Sequence, residues 1–402
     1  MASVFFSRSR RLWLVMGSMV GAESCGVKDN PLVLTDLLRA CARLPEDARL
    51  DQIRQLVTDV QWPAFPAAAE AHGLAPLAHA HLTRAGASLP VDVQQQLFGL
   101  ATRHRTANAV RFAALVRVLD AFEAASIRVL ALKGAALAHL LYPSTALRPL
   151  SDIDLLVEPR QAEHAQGVLA SLGFAADPRP PDRRFVGHHH LPPALLVQDG
   201  VFIQVEIHRD ALSADTPGSL TLNEQSYARR QAFTIGGRTA YAFGHEEMLH
   251  HLTRHAAERA SLFRLIWVTD IVAYATRFHA EIDWPALRQR DPFVINALSL
   301  LHLVTPLPPE VLAEVPMPRP GIAGAGTAFR PLAEIVRSDR PAGAVLRELL
   351  APGEWWVRFY YGARSTPSFL WYLWIGHPTR MAWWFARRAV TWVRWRGRNR
   401  AA

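Results

Sequence analysis

Two aspartates one residue apart, Asp152 and Asp154 in the run SDIDLLV, are the residues best placed to do chemistry in this chain. Their apolar surroundings read as a strand, where side chains alternate between faces, so both carboxylates point one way while Ile153 and Leu155 point into the core. Like charges held side by side repel, and keeping both ionised calls for a cation. Hard carboxylate oxygens select Mg²⁺ or Mn²⁺. A third carboxylate, Glu206, ends a later strand, VFIQVEIH, and would complete a cluster able to hold two metal ions across an in-line phosphoryl displacement. Glu158 and Asp210 are acidic alternatives to it. His208 shares the face of Glu206, where it would orient a ligand or bond to backbone.

Upstream, Leu132-Lys133-Gly134-Ala135 leaves one predicted strand and enters a helix. A glycine there lets backbone N–H groups approach a phosphate at the helix N-terminus, and Lys133 would add a point charge unless its place near the strand end turns it away. Other histidines invite weaker readings. His245-Glu246 lacks the zinc-protease pattern because Leu249 stands where the second histidine belongs. His251 and His255 are four apart on a helix and are expected to serve packing. The run His188-His189-His190 is a loop before a strand that could lie near the active site, with surface exposure the default expectation.

The elements that must position these residues follow from periodicity. Residues 31–125 read as helical, with Val110, Ala113, Ala114, Val116, Leu119 and Phe122 forming an apolar face of a long helix. A mixed α/β core is expected over 126–245: strand IRVLALKG, helix AALAHLLY, strand DIDLLV, a helix opened by Pro159 and closed at Gly173, then two strands turning at Asp199-Gly200. Helices return over 246–340, with Asp283-Trp284-Pro285 opening one, and a basic Trp/Arg-rich tail spans 341–402. In residues 1–30, basic Arg8, Arg10 and Arg11 precede an apolar run that superficially resembles a signal peptide. An over-long start, with the true one at Met16 or Met19, is the expectation preferred here.

At 402 residues, half of them hydrophobic, the chain is long enough to bury a core of two or three domains. The net charge of +9 is uneven: from Pro341 onward ten arginines face only Glu348 and Glu354. The remainder gives no reason to expect a surface that coats nucleic acid. Two cysteines, Cys25 and Cys41, exclude a disulfide framework and fit a reducing cytoplasm.

The run LALKGAALAHLLYPSTALRPLSDIDLLV, the helix ending Leu172-Gly173-Phe174, and VEIH resemble the uncharacterised nucleotidyltransferase family of the DNA polymerase β-like superfamily. The order LKG, LY, R-x-x-SDIDLLV, LGF, E-x-H is shared. So are the E-x-x-L-x-H helix in HEEMLHHLTRH and the W-x-x-D segment from Trp267 to Asp270. The resemblance implies an α+β fold with a polymerase β-like core, a small mixed sheet with helices, flanked by helical regions. It implies transfer of a nucleoside monophosphate from an NTP, with Mg²⁺ or Mn²⁺ on Asp152, Asp154 and Glu206. The nucleotide would sit against Lys133, Gly134 and Ala135, with Ser151 and Arg148 in the loop before the carboxylate strand and Arg148 on the triphosphate. Two departures matter. Ala135 stands where the wider superfamily usually has serine, and the gap from Gly134 to Asp152 is longer than in minimal members. Ala135 keeps alive the alternative of a catalytically inactive nucleotide sensor or scaffold.

The acceptor is expected to be a small molecule, peptide or protein rather than nucleic acid. Eight of twelve tryptophans lie from Trp355 onward, interleaved with arginine. Such a segment would lie in an anionic membrane interface, so peripheral contact through residues 355–400 at the inner face of the membrane is expected for an otherwise cytoplasmic protein.

Overall fold

The computed structural model describes residues 31–60, 62–176, 188–213, 218–258, 264–318 and 352–383, together with residues 216, 322 and 386. The expected N-terminal extension, and most of the stretch MAWWFARRAVTWVRWRGRNR, lie outside them.

A five-stranded sheet, in the order β1-β2-β5-β4-β3, is the frame of the molecule. Its strands are β1 (Val129–Ala131), β2 (Ile153–Val157), β3 (Ala175–Ala176), β4 (Ala194–Gln198) and β5 (Val201–His208). Only the central pair, β2 with β5, is parallel. All five residues of β2 are buried, as a strand covered on both faces must be. Helices Lys133–Leu140 and Ala162–Ser171 pack on β2 and β5. Pro159 opens a short 3₁₀ turn that feeds the second of these helices, and Gly173, at φ 88°, stops it in the left-handed conformation that glycine adopts without steric cost. The Asp199-Gly200 hairpin forms with both residues at positive φ, 51° and 72°, as a two-residue turn matched to strand twist requires. A second hairpin, β6 (Gln231–Ile235) with β7 (Arg238–Ala242), turns at Gly236-Gly237. The periodicity reading does not pick it out.

Helices surround the sheet. The longest, Val91–Ala124, buries Phe112, Leu115, Val118, Leu119 and Phe122. The expected face is therefore shifted: Ala114, Leu119 and Phe122 are buried, but Ala113 is exposed and Val110 and Val116 lie on the flank. Residues 112, 115, 119 and 122 follow the 3.6-residue period, and the sheet sits under that stripe. After β7 come His245–Glu258 and Leu265–Arg277, then Trp284–Arg290, capped by the Asp283 side chain accepting from Ala286 N, and Pro292–Leu301. Trp355 is fully buried on that layer, its indole N–H donating to Leu300 O at 3.1 Å, whereas Trp371 and Trp374 are 52% and 72% exposed. Among the described residues, the tryptophan-rich end thus divides between core and surface. No helix among the described residues is long and apolar enough to cross a membrane.

Candidate active site

The register of the parallel pair builds the site. Asp154 stands opposite Glu206, and Leu156 opposite His208. Because the side-chain period is two, Asp154, Glu206 and His208 emerge on one face, and each offers a ligand atom within 4.8 Å of the others. His208 Nε2 lies 2.9 Å from Asp154 Oδ1, and its Nδ1 faces Asp210 O at 3.3 Å. Glu206 Oε1 accepts from Gln204 Nε2 at 2.7 Å. Of the acidic alternatives, Glu158 faces Arg128 and Arg160, and the Asp210 carboxylate accepts from Leu212 N and Leu220 N, each at 2.9 Å.

Asp152 precedes β2 and accepts from Ser151 Oγ at 2.9 Å. It stays outside the tight ligand group, yet it is close enough to influence Glu206 and Lys133. The expected three-carboxylate set is thus arranged as two carboxylates and an imidazole, with Asp152 beside them.

Lys133 sits in this cluster. β1 stops at Ala131, and Lys133 opens the following helix at φ 45°, a left-handed conformation unusual for a residue with a side chain. The turn is held by Leu132 N donating to Asp154 O at 3.0 Å and Ala135 N to Leu132 O at 3.2 Å. Its result is that Lys133 Nζ lies 3.1 Å from Asp154 Oδ2. The lysine therefore points into the site, not away from it.

These contacts separate the acids. Burial alone would raise Asp154, but the Lys133 ammonium and the His208 ring outweigh it and hold Asp154 well below the usual carboxylate range. Asp152 is raised by burial and by the charge of Asp154, and Glu206 by burial and by both aspartates. For Lys133, burial works against the charge, but the surrounding carboxylates prevail and raise it. The donor set of two carboxylates and an imidazole fits a divalent cation, since a cation is what the crowded charges favour.

Arg148 and Gly134 have structural roles as well. The Arg148 guanidinium is buried, donating to Asp270 Oδ2 at 2.7 Å and to Pro149 O at 2.9 Å, and Tyr142 Oη donates to Asp270 Oδ1 at 2.7 Å. Burial opposes the charge, yet Asp270 raises the pKa of Arg148 above its ordinary value. Gly134 has a different reason to be glycine. A Cβ there would run into the Arg148 guanidinium and come within 2.9 Å of Leu150 Cδ1, so the missing side chain makes room for Arg148. Ala135 is buried against the core, and its N–H is already used in the turn.

The histidine run takes the place near the site rather than the exposed one. His188, His189 and His190 are half-buried and lie beside β5, where His190 pairs with His208 as an isolated bridge. His190 Nε2 is 3.7 Å from Glu206 Oε2. Burial, then neighbouring positive charge, lowers His189 to about 2; burial is also the main cause that lowers His190 to about 4. His251 is fully buried with no hydrogen-bond partner on either ring nitrogen, and burial, then Lys133, holds it well below its ordinary value. Its ring lies 6.3 Å from that of His255, which meets Trp267 edge-on at 5.1 Å. A small pocket is lined by Lys133 and Arg148, and by Leu252, His255, Trp267, Asp270 and Ile271 from the two helices after β7.

A strand–turn–helix with a lysine and glycine, followed by a D-x-D strand paired in parallel with a second acidic strand, defines a domain of the nucleotidyltransferase class. Residues 58–300 match the family described as uncharacterised nucleotidyltransferase, and the chain belongs to that family. Two solved structures are similar to it. One is the solution structure of the antibiotic-resistance factor ANT(2'')-Ia, with 16% identity, a TM-score of 0.32, and coverage of 48% of this chain and 98% of that one. The other is the crystal structure of an antigenic nucleotidyltransferase-like protein from Paracoccidioides brasiliensis, with 17% identity, a TM-score of 0.29, and coverage of 52% and 96%. No curated protein matches the chain significantly.

Proposed function

We propose that this protein is a divalent-metal-dependent transferase that moves a nucleoside monophosphate from an NTP to an acceptor hydroxyl or amine. The acceptor's O–H or N–H group attacks the α-phosphorus, the bond to pyrophosphate breaks, and the acceptor proton leaves to a nearby base or to water. Bound Mg²⁺ or Mn²⁺ would supply Lewis acidity toward the phosphoryl oxygens and lower the pKa of the attacking group. Asp154 and Glu206 would hold the ion with Asp152 at the margin, while His208 orients Asp154 from the other side. Lys133 would exchange part of its contact with Asp154 for a phosphate oxygen. Ser151 steadies Asp152, and the Gly134-Ala135 turn sets the direction of Lys133. The helices that contribute Leu252, His255, Trp267 and Ile271 would form the wall that receives the acceptor, for which a small molecule, peptide or protein suits better than nucleic acid.

The observation that carries this reading is the in-register pairing of Asp154 with Glu206, with Lys133 and His208 on the two oxygens of Asp154. Incubating the purified chain with labelled ATP, GTP, CTP and UTP, Mg²⁺ or Mn²⁺ and cell lysate tests it. Transfer of label to an acceptor, abolished in Asp154→Asn, is the expected result. Absence of NTP binding with either ion would sink it.

A second reading, a nucleotide sensor or scaffold without turnover, is favoured by Ala135, which has no hydroxyl and whose N–H is committed to Leu132 O. Nucleotide binding without transfer to any acceptor would support it. Peripheral contact with the inner face of a membrane is proposed for the C-terminal end, on the exposed Leu370, Trp371, Trp374 and Ile375.

A further inference from the structure

We propose that His188, His189 and His190 form a metal site of the zinc class beside the carboxylate cluster, with Glu206 on the border between the two. The three residues offer ring nitrogens that all lie within 4.8 Å of one another. A straight strand would send His189 to the opposite face from its neighbours, but the chain bends at His189 and brings the rings together, with centroids 4.2, 4.3 and 4.8 Å apart. Around a tetrahedral ion with bonds of about 2.0–2.1 Å, ligand atoms stand roughly 3.3 Å apart. Small ring rotations close the remaining gap.

The backbone that carries these rings is fastened to β5. Leu191 N donates to Ile207 O at 2.8 Å, and the carbonyl of His189 accepts from Arg209 N at 2.8 Å and Asp210 N at 3.1 Å. His190 Nδ1 lies 2.7 Å from Leu191 O, so the proton belongs on Nδ1 and the lone pair on Nε2. A histidine that ligates metal has this arrangement, with its other nitrogen donating to a carbonyl. That Nε2 is 3.7 Å from Glu206 Oε2, which also lies 3.8 Å from His208 Nε2, so one carboxylate oxygen reaches both groups. Imidazole nitrogens favour Zn²⁺, Cu²⁺ or Ni²⁺ over Mg²⁺, so the two neighbouring sites would select different ions. Three protein ligands leave a fourth position open, the pattern of zinc sites that act on substrate rather than merely brace a fold.

Co²⁺ titration of the full-length, untagged, chelator-stripped chain tests this without any nucleotide, so its outcome is independent of the transfer reading. The expected result is stoichiometric uptake with visible tetrahedral d–d absorption, displaced by Zn²⁺ and unmoved by excess Mg²⁺. A His188→Asn/His189→Asn chain with unchanged circular dichroism should bind Co²⁺ at least about 10-fold more weakly. X-ray absorption of the Zn²⁺-loaded wild type should show imidazole scattering from three rings, a readout that does not depend on the variant folding. No Co²⁺ uptake, uptake unchanged in the double variant, or an oxygen-dominated zinc shell would each overturn the proposal.

Discussion

Replacing Gly134 with alanine separates two accounts of why a glycine stands at the head of the helix after β1. Its φ is not left-handed, so the backbone would accept alanine, and helix propensity favours alanine over glycine by about 1 kcal/mol. If the glycine served only to let a ligand approach, the free protein would therefore be more stable with alanine. The structure argues the opposite sign. The new Cβ would meet the Arg148 guanidinium and lie 2.9 Å from Leu150 Cδ1. Arg148 has nowhere to move without leaving Asp270, whose side chain is 2% exposed. Overpacking of this kind costs roughly 1–3 kcal/mol, and breaking a buried pair costs about 3–5 kcal/mol. The chain takes the cheaper course, so a net loss of about 0–2 kcal/mol remains after the propensity gain. Urea unfolding of the wild type, Gly134→Ala, Arg148→Met and the double variant measures it. With the guanidinium gone, much of the clash goes too, so the double variant should be less destabilised than the sum of the singles. Stabilisation by Gly134→Ala, or additivity within about 0.5 kcal/mol, would refute the steric account.

The two aspartates of the D-x-D strand should respond in opposite ways. Asp154→Asn takes a charged partner from buried His208 and from Lys133 and should cost about 1–3 kcal/mol, whereas Asp152→Asn removes a carboxylate repelled by its neighbour and should change stability by roughly 0–1 kcal/mol in the favourable direction. The signs with pH differ as well. Asp154, lowered on folding, contributes stability above the ordinary aspartate value that is lost as pH falls through its folded value. Asp152, raised on folding, contributes stability that declines as pH climbs from the ordinary value through its raised one. Urea midpoints between about pH 4 and 7 should therefore show Asp152→Asn gaining on wild type as pH rises, and a gap that closes instead would contradict this. Cys41, fully buried and pushed up to about 12 by that burial, should resist iodoacetamide in the native state and react once urea unfolds the chain; peptide mapping that finds native Cys41 alkylated disproves its burial. Serine at both Trp371 and Trp374 should weaken binding to anionic vesicles in a co-flotation assay while leaving the unfolding free energy within about 0.5 kcal/mol of wild type. Equal wild-type binding to neutral vesicles would remove the electrostatic part of the membrane proposal.

Much of the fold was legible because local rules decide it. Asp199-Gly200 could hardly do other than turn, Gly173 ends a helix, and the alternation in DIDLLV and VFIQVEIH places acids on one face. What periodicity does not carry is which strand lies beside which. The parallel register that sets Asp154 against Glu206 arises from a connection through a helix and two further strands. The same limit explains Arg148. Its place in the loop before β2 suggested a phosphate ligand, but its partner, Asp270, is 122 residues away and reaches it only through tertiary packing. A histidine run in a loop carries no periodicity to choose between the surface and the site, and only pairing with the end of β5 draws His188 to His190 inward. On Val91–Ala124 the buried stripe lies a fraction of a turn from the apolar set in the sequence, because Ala113 is exposed and Val110 and Val116 flank it.

The ion pair of Arg148 with Asp270 bears on how this protein could be taken apart. It rivets the loop that leads into β2 to a helix lying well beyond the last strand. A fragment cut at residue 245 would keep the sheet and the acids yet lose the carboxylate that holds Arg148 behind the Gly134 turn. The sheet and its acidic cluster are thus not a detachable module: the helices that follow them in sequence are part of their foundation, and a shorter relative lacking those helices would need another anion behind the Gly134 turn.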